Sequence, residues 1–186
     1  MAKILARLAA FNLVLLTATF VAGVVSYLRG SLTNAADSTY MLHLYLGLLA
    51  GITTLGVHCL VFIYFLGTGR WVKEVALAYR IPDVPLPRLT RDLKRRTFPP
   101  ALAAMLVPIA ASAAGAGVAA QQWPWYYHGG LAVATLAVNA WAFWIEYRSV
   151  CINAGIIDEV MREVDRIRAE HGLPSNAEAL RQQEGG

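Results

Sequence analysis

Charge is scarce in this chain of 186 residues: only 15% of it is Asp, Glu, Lys or Arg, while 57% is hydrophobic. A soluble domain carries about a quarter charged residues, so an ordinary soluble surface is excluded and the apolar excess must face lipid. Cysteine is nearly absent as well. Cys59 and Cys151 both fall in or beside apolar runs, where a structural disulfide is not expected, and both read as packing residues. His58 next to Cys59 suggests a metal pair, but neighbours on a helix point about 100° apart. The chain also lacks zinc-ligand spacings, a phosphate-binding glycine loop, a nucleophile elbow and any repeat with a period of about 20–50 residues. Enzymes built on those devices are disfavoured, and no catalytic residue is assigned. The net charge of +4 is unevenly placed, which reports topology and argues against a nucleic-acid partner.

What the sequence has is long hydrophobic runs. They cover about residues 8–28, 41–66, 101–120 and 127–147, each long enough at about 1.5 Å per residue to cross a hydrocarbon layer about 30 Å thick. The first is longer than a signal-peptide core and reads as an uncleaved span. The expected fold is an all-α, polytopic membrane four-helix bundle over residues 1–150, followed by a cytoplasmic amphipathic helix and mobile tail over 151–186.

Orientation follows from the cations. A basic loop, residues 69–98, carries Arg70, Lys73, Arg80, Arg88, Arg91, Lys94, Arg95 and Arg96, which by the positive-inside tendency puts it in the cytoplasm together with Lys3 and Arg7. Both termini are then cytoplasmic. Within this loop, Arg70 to Tyr79 can prolong the second helix, Pro82, Pro85 and Pro87 predict an extended connector, and Thr90 to Arg96 can rest on anionic headgroups. At the other side Trp123, Trp125, Tyr126 and Tyr127, with Tyr27 and Tyr40, form an aromatic belt. The third span is rich in Ala and Gly, with Pro99 and Pro100 near its start and Pro108 inside it, as suits a closely packed helix.

Beyond the fourth span, Ile156, Val160, Val164 and Ile167 recur at helical spacing and form one apolar face. That face can bury itself against the basic loop, the bilayer surface, a second copy or a protein partner, and it is the candidate docking surface. Gly172 and Pro174 end this helix, and Ser175 to Glu178 fits a capping box that opens a last short one.

The chemistry lies in a row of polar residues within the spans. His43, Gly47, Gly51, Thr54 and His58 share one face of the second span. His128, Thr135, Asn139 and Glu146 share one face of the fourth. Thr54 and Asn139 each lie about 16 Å below their own outer histidine, and His58 falls between the levels of Asn139 and Glu146. Asn12, Thr19, Gly23 and Ser26 share a face of the first span. Ionisable groups facing lipid cost about 2.5–3.5 kcal/mol each on insertion scales, so these residues should face one another.

Four spans with histidines on two neighbouring helices resemble the four-helix membrane cytochromes b in fold and ligand type, although no diagnostic motif of that family is present. The resemblance implies a b-type haem held by His43 and His128, with Gly47 and Gly51 making room, and a role in electron transfer. A variant keeps the row without haem, as a transition-metal or quinone site or a proton relay with Glu146 innermost. The competing class is a non-catalytic accessory or scaffold subunit, in which the polar row only locks helices and the tail docks a partner.

Overall fold

The computed structural model describes residues 1–82 and 85–184, with the backbone alone at 183 and 184. The stretch of the basic loop at 83–84 and the last two residues of the tail lie outside the described residues. Those described form five helices: α1 (Ala2–Leu28), α2 (Ser38–Ala78), α3 (Leu86–Ala119), α4 (Trp125–Glu170) and α5 (Asn176–Glu184). The first four are long and apolar enough to cross a membrane.

All four long helices overrun the spans read from hydropathy. α2 continues to Ala78, as the sequence allows. The expected extended connector is shorter than its prolines suggest, because α3 already starts at Leu86. Pro87 is tolerated there: in a first helical turn the missing N–H has no intrahelical partner to lose. Pro99 and Pro100 accordingly sit well inside α3 and not near its start. Each of the four long helices is closed by a left-handed residue: Gly30, Arg80, Gln121 and Gly172. Two of these are not glycine, so the turn itself, through bonds such as Ile81 N–H to Ala76 O (2.8 Å) and Gln122 N–H to Gly117 O (3.0 Å), supplies what the side chain resists.

The chain divides into two compact units. Unit 1 comprises Met1–Phe62 and Arg96–Arg148, and unit 2 comprises Ile63–Arg95 and Ser149–Gly186. The tail therefore groups with residues 63–95.

Unit 1 packs apolar segments of α1 to α4. Leu15, Leu16 and Ala50 form a buried cluster with Leu46 and Leu136 against it. The inward face of α3 is built from Ala101, Ala104, Ala111 and Ala114, small enough for backbones to approach. The outward faces remain apolar too: Val14, Leu28, Ile52 and Trp144 are each more than half exposed. Such extensive exposed apolar surface is wrong for a soluble monomer and suits an integral membrane protein.

In unit 2 the amphipathic face of α4 turns inward. Ile156, Val160 and Val164 are buried in the same unit as Phe65, Val72, Ala76 and Leu93, with Ile167 half-buried. Of the four destinations open to that face, the chain's own basic segment is the one it meets. Asn153, fully buried, donates to Tyr64 Oη (3.1 Å) and Thr68 Oγ1 (3.0 Å). The outward side of α4 is laced by Arg162–Glu159, Arg166–Glu163 and Arg166–Glu170 pairs. α5 opens with the expected capping box: Ser175 N–H donates to Glu178 (2.9 Å), and Glu178 N–H to Ser175 Oγ (3.3 Å).

Both cysteines are exposed and free, which corrects their reading as packing residues. With His58 inward, the 100° step per residue carries Cys59 round to the outer face.

Candidate functional site

The polar row of unit 1 separates into two sites at different depths. At the outer one, His43 from α2 and His128 from α4 face each other, with ring centroids 5.8 Å apart and planes at 74°. His43 Nδ1 lies 2.9 Å from Thr19 O on α1, and His128 Nδ1 lies 2.8 Å from Ala111 O on α3. A carbonyl only accepts, so both Nδ1 atoms carry a proton, and in the neutral imidazole it is Nε2 that keeps a lone pair.

The two histidines are seated alike. Four residues beyond each accepting carbonyl stands a glycine, Gly23 after Thr19 and Gly115 after Ala111. A Cβ at Gly23 would come within 2.9 Å of His43 Cε1, and one at Gly115 within 3.0 Å of His128 Cε1. Each imidazole thus rests in a notch that only glycine leaves open. Gly23 was visible in the sequence as part of the α1 face; Gly115 was hidden in an Ala- and Gly-rich stretch, where nothing but the facing histidine distinguishes it.

Both histidines line a cavity of about 300 Å³, at the lower end of the range for ligand pockets, about 300–1,000 Å³. Gly47 and Gly51 line it on the α2 side, Ala111 and Gly115 on the α3 side, and Ala132 and Thr135 on α4. A Cβ at Gly51 would meet nothing within 4 Å, so that position opens directly onto free space. Thr135 spends its hydroxyl on Leu131 O (2.8 Å) and presents its methyl side.

The inner site is closed. His58 Nδ1 lies 2.6 Å from Glu146 Oε1, and His58 Nε2 lies 3.0 Å from Asn139 Oδ1. The ring stacks on Phe143 at 4.8 Å and 10°. Asn139 Nδ2 donates to Thr135 O (2.9 Å) and Ala104 O (3.3 Å), which ties α4 to α3. Beside it, Asn12 on α1 donates to Thr53 Oγ1 (2.9 Å) and accepts from Thr54 Oγ1 (3.1 Å). His58, Asn139, Glu146, Thr54 and Asn12 are all fully buried. Among the described residues no group of three or more His, Cys, Asp or Glu side chains converges as a metal site would require.

Comparison with family models, with curated proteins and with solved structures finds no match for this chain.

Proposed function

We propose that the chain is an integral membrane electron-transfer subunit that binds a b-type haem in the outer cavity, where His43 and His128 would hold it. The observation that carries this reading is the matched pair of Nδ1–carbonyl bonds. A ligating histidine characteristically gives its other ring N–H to a carbonyl or carboxylate, which fixes the tautomer and aims the free nitrogen. Here two histidines that line one apolar cavity do so. With ring centroids 5.8 Å apart, the two imidazoles are near enough for one group to be held by both.

Bound there, the haem would supply one-electron chemistry. The residues of the chain hold and orient it: Gly47 and Gly51 leave room for the ring, Gly23 and Gly115 seat the imidazoles, and the apolar lining excludes water. The amino terminus, the basic segment and the tail face the cytoplasm, on the strength of their cations. An electron carrier needs a donor and an acceptor, and with Ile156, Val160 and Val164 buried, docking of a protein partner or a second copy falls to the outward side of the tail.

The test is an absorption spectrum of the detergent-purified protein, oxidised and then dithionite-reduced, with metal analysis of the same sample. A Soret band with sharp reduced α and β bands, abolished in His43→Ala and in His128→Ala, is expected. A featureless spectrum and no stoichiometric metal, from folded protein expressed with ample haem, overturns the reading. The histidines then serve to pin helices, as the accessory-subunit alternative holds.

A further inference from the structure

We propose that the groove between α1 and α2 is a phospholipid site: one acyl chain lies along the groove, and the phosphate of the same lipid rests on Arg29 at its outer end. It depends on the orientation of the chain given above and not on the haem. The groove has a volume of about 710 Å³ and is lined by α1 from Leu13 to Val25 and by Thr39, Leu42 and Leu46 of α2. It shares no lining residue with the histidine cavity.

Its walls ask for hydrocarbon. Both threonines on them are already spent: Thr17 Oγ1 donates to Leu13 O (2.7 Å), and Thr39 Oγ1 donates to the Asp37 carboxylate. The other lining side chains are Ala, Val and Leu. From Leu13 to Val25, α1 rises about 18 Å at 1.5 Å per residue, against about 15 Å for half of a hydrocarbon core about 30 Å thick. The groove is therefore about as long as one leaflet is deep. Its volume spread over that length gives a section of about 40 Å², half or less of the section of a helix about 10–12 Å across. A single acyl chain suits such a section better than a helix of a second copy.

Arg29 supplies the polar end. It caps α1 with helical φ and ψ of −83° and −4°, so it stands one turn above Val25 on the stripe of Val21 and Val25. Between Arg7 and Arg70 it is the one Lys or Arg in the chain, and it falls on the side where the positive-inside tendency disfavours a cation. Asp37 Oδ2 lies 3.7 Å from its Nη2, too far for a hydrogen bond, and that carboxylate is engaged by the N–H and hydroxyl of Thr39. The guanidinium is more than half exposed, with its fork of N–H donors matched to phosphate oxygens. A cation at the headgroup level above a leaflet-long apolar groove is the complement of a phospholipid.

The experiment is native mass spectrometry of the full chain, stripped of lipid in detergent and titrated with palmitoyl-oleoyl phosphatidylglycerol. The matching diacylglycerol serves as a probe without the phosphate. The wild type should bind one phosphatidylglycerol distinctly more tightly than any further copy. Arg29→Gln should weaken that first binding about fivefold, the worth of one cation near a headgroup surface, and should leave diacylglycerol binding unchanged. Ala18→Phe, which fills the groove from an exposed position, should abolish the first binding. Ala113→Phe, also exposed but on α3 and away from the groove, should not. A wild type with no distinct first lipid overturns the proposal, as does equal loss in the two phenylalanine variants. So does a mass of two chains that Ala18→Phe splits, which gives the groove to a second copy. Should Ala18→Phe not fold, Arg29→Gln decides alone: a first binding of phosphatidylglycerol as tight as in the wild type overturns the site.

Discussion

The outer and inner histidines of unit 1 are the same residue type on the same polar row, yet their surroundings equip them for different work. His43 and His128 each commit one nitrogen to a backbone carbonyl and keep the other free beside a cavity. His58 commits both nitrogens to side chains and stacks flat on Phe143. A backbone carbonyl cannot titrate or swing away, so it makes a fixed support for a ligand. A carboxylate partner brings charge of its own, so it ties the ring into a closed buried pair. The partner on the far side of the ring is what separates the two settings.

The hardest way to break this contrast is to remove half of the inner pair. Glu146→Ala leaves a buried imidazole without its acid, and loss of one member of a buried pair costs about 3–5 kcal/mol. A large drop in unfolding midpoint is expected, and a double variant, His58→Leu with Glu146→Leu, should recover much of it. If Glu146→Ala melts like the wild type, the pair does not hold the helices together.

The notches come next. Gly115→Ala would place a Cβ 3.0 Å from His128 Cε1 and force the ring to shift, a strain of about 1–3 kcal/mol. Gly56→Ala, away from the cavity and with nothing within 4 Å of its Cβ, should leave stability unchanged. Haem content measured across the two should fall for the first and stay for the second. Equal losses would mean that the notch is incidental.

Asn139→Ala would strand the Nε2–H of His58 at a cost of about 1–3 kcal/mol, read as a lowered thermal midpoint. The haem bands should be untouched, since nothing at the outer level depends on Asn139.

The smallest expected effect lies in unit 2. Hydrogen bonds from Ser175 backbone and side chain hold the Glu178 carboxyl below its ordinary value. A carboxyl depressed in the folded state stabilises above its unfolded pKa, about 4.3, and loses that contribution as pH falls through the folded value. Protection of the α5 amides, taken relative to the intrinsic exchange rate at each pH, should therefore fall on acidification, and in Ser175→Ala it should already be low at neutral pH.

Much of this was legible in the residue order. Span positions follow from hydropathy, the shared faces from 3.6-residue periodicity, and the meeting of His58 with Asn139 and Glu146 from counting depth along two helices that run the same way. The support of the outer histidines was not legible, because Thr19 and Ala111 act through carbonyls that any residue would supply. Nor was the grouping of the tail with residues 63–95, since an amphipathic stripe records that a face must be covered and is silent on what covers it. The cysteines were misread because hydrophobic character alone does not tell an inward position from an outward one when both surroundings are apolar.

Those outward thiols provide a native depth gauge. Cys59 belongs to unit 1 and Cys151 to unit 2, and both are exposed, so neither has to be engineered. A maleimide confined to water and one that dissolves in hydrocarbon would modify them at rates set by how deep each sits in the bilayer. The ratio of those rates locates the water boundary on α2 and α4 without disturbing a single residue of the polar row.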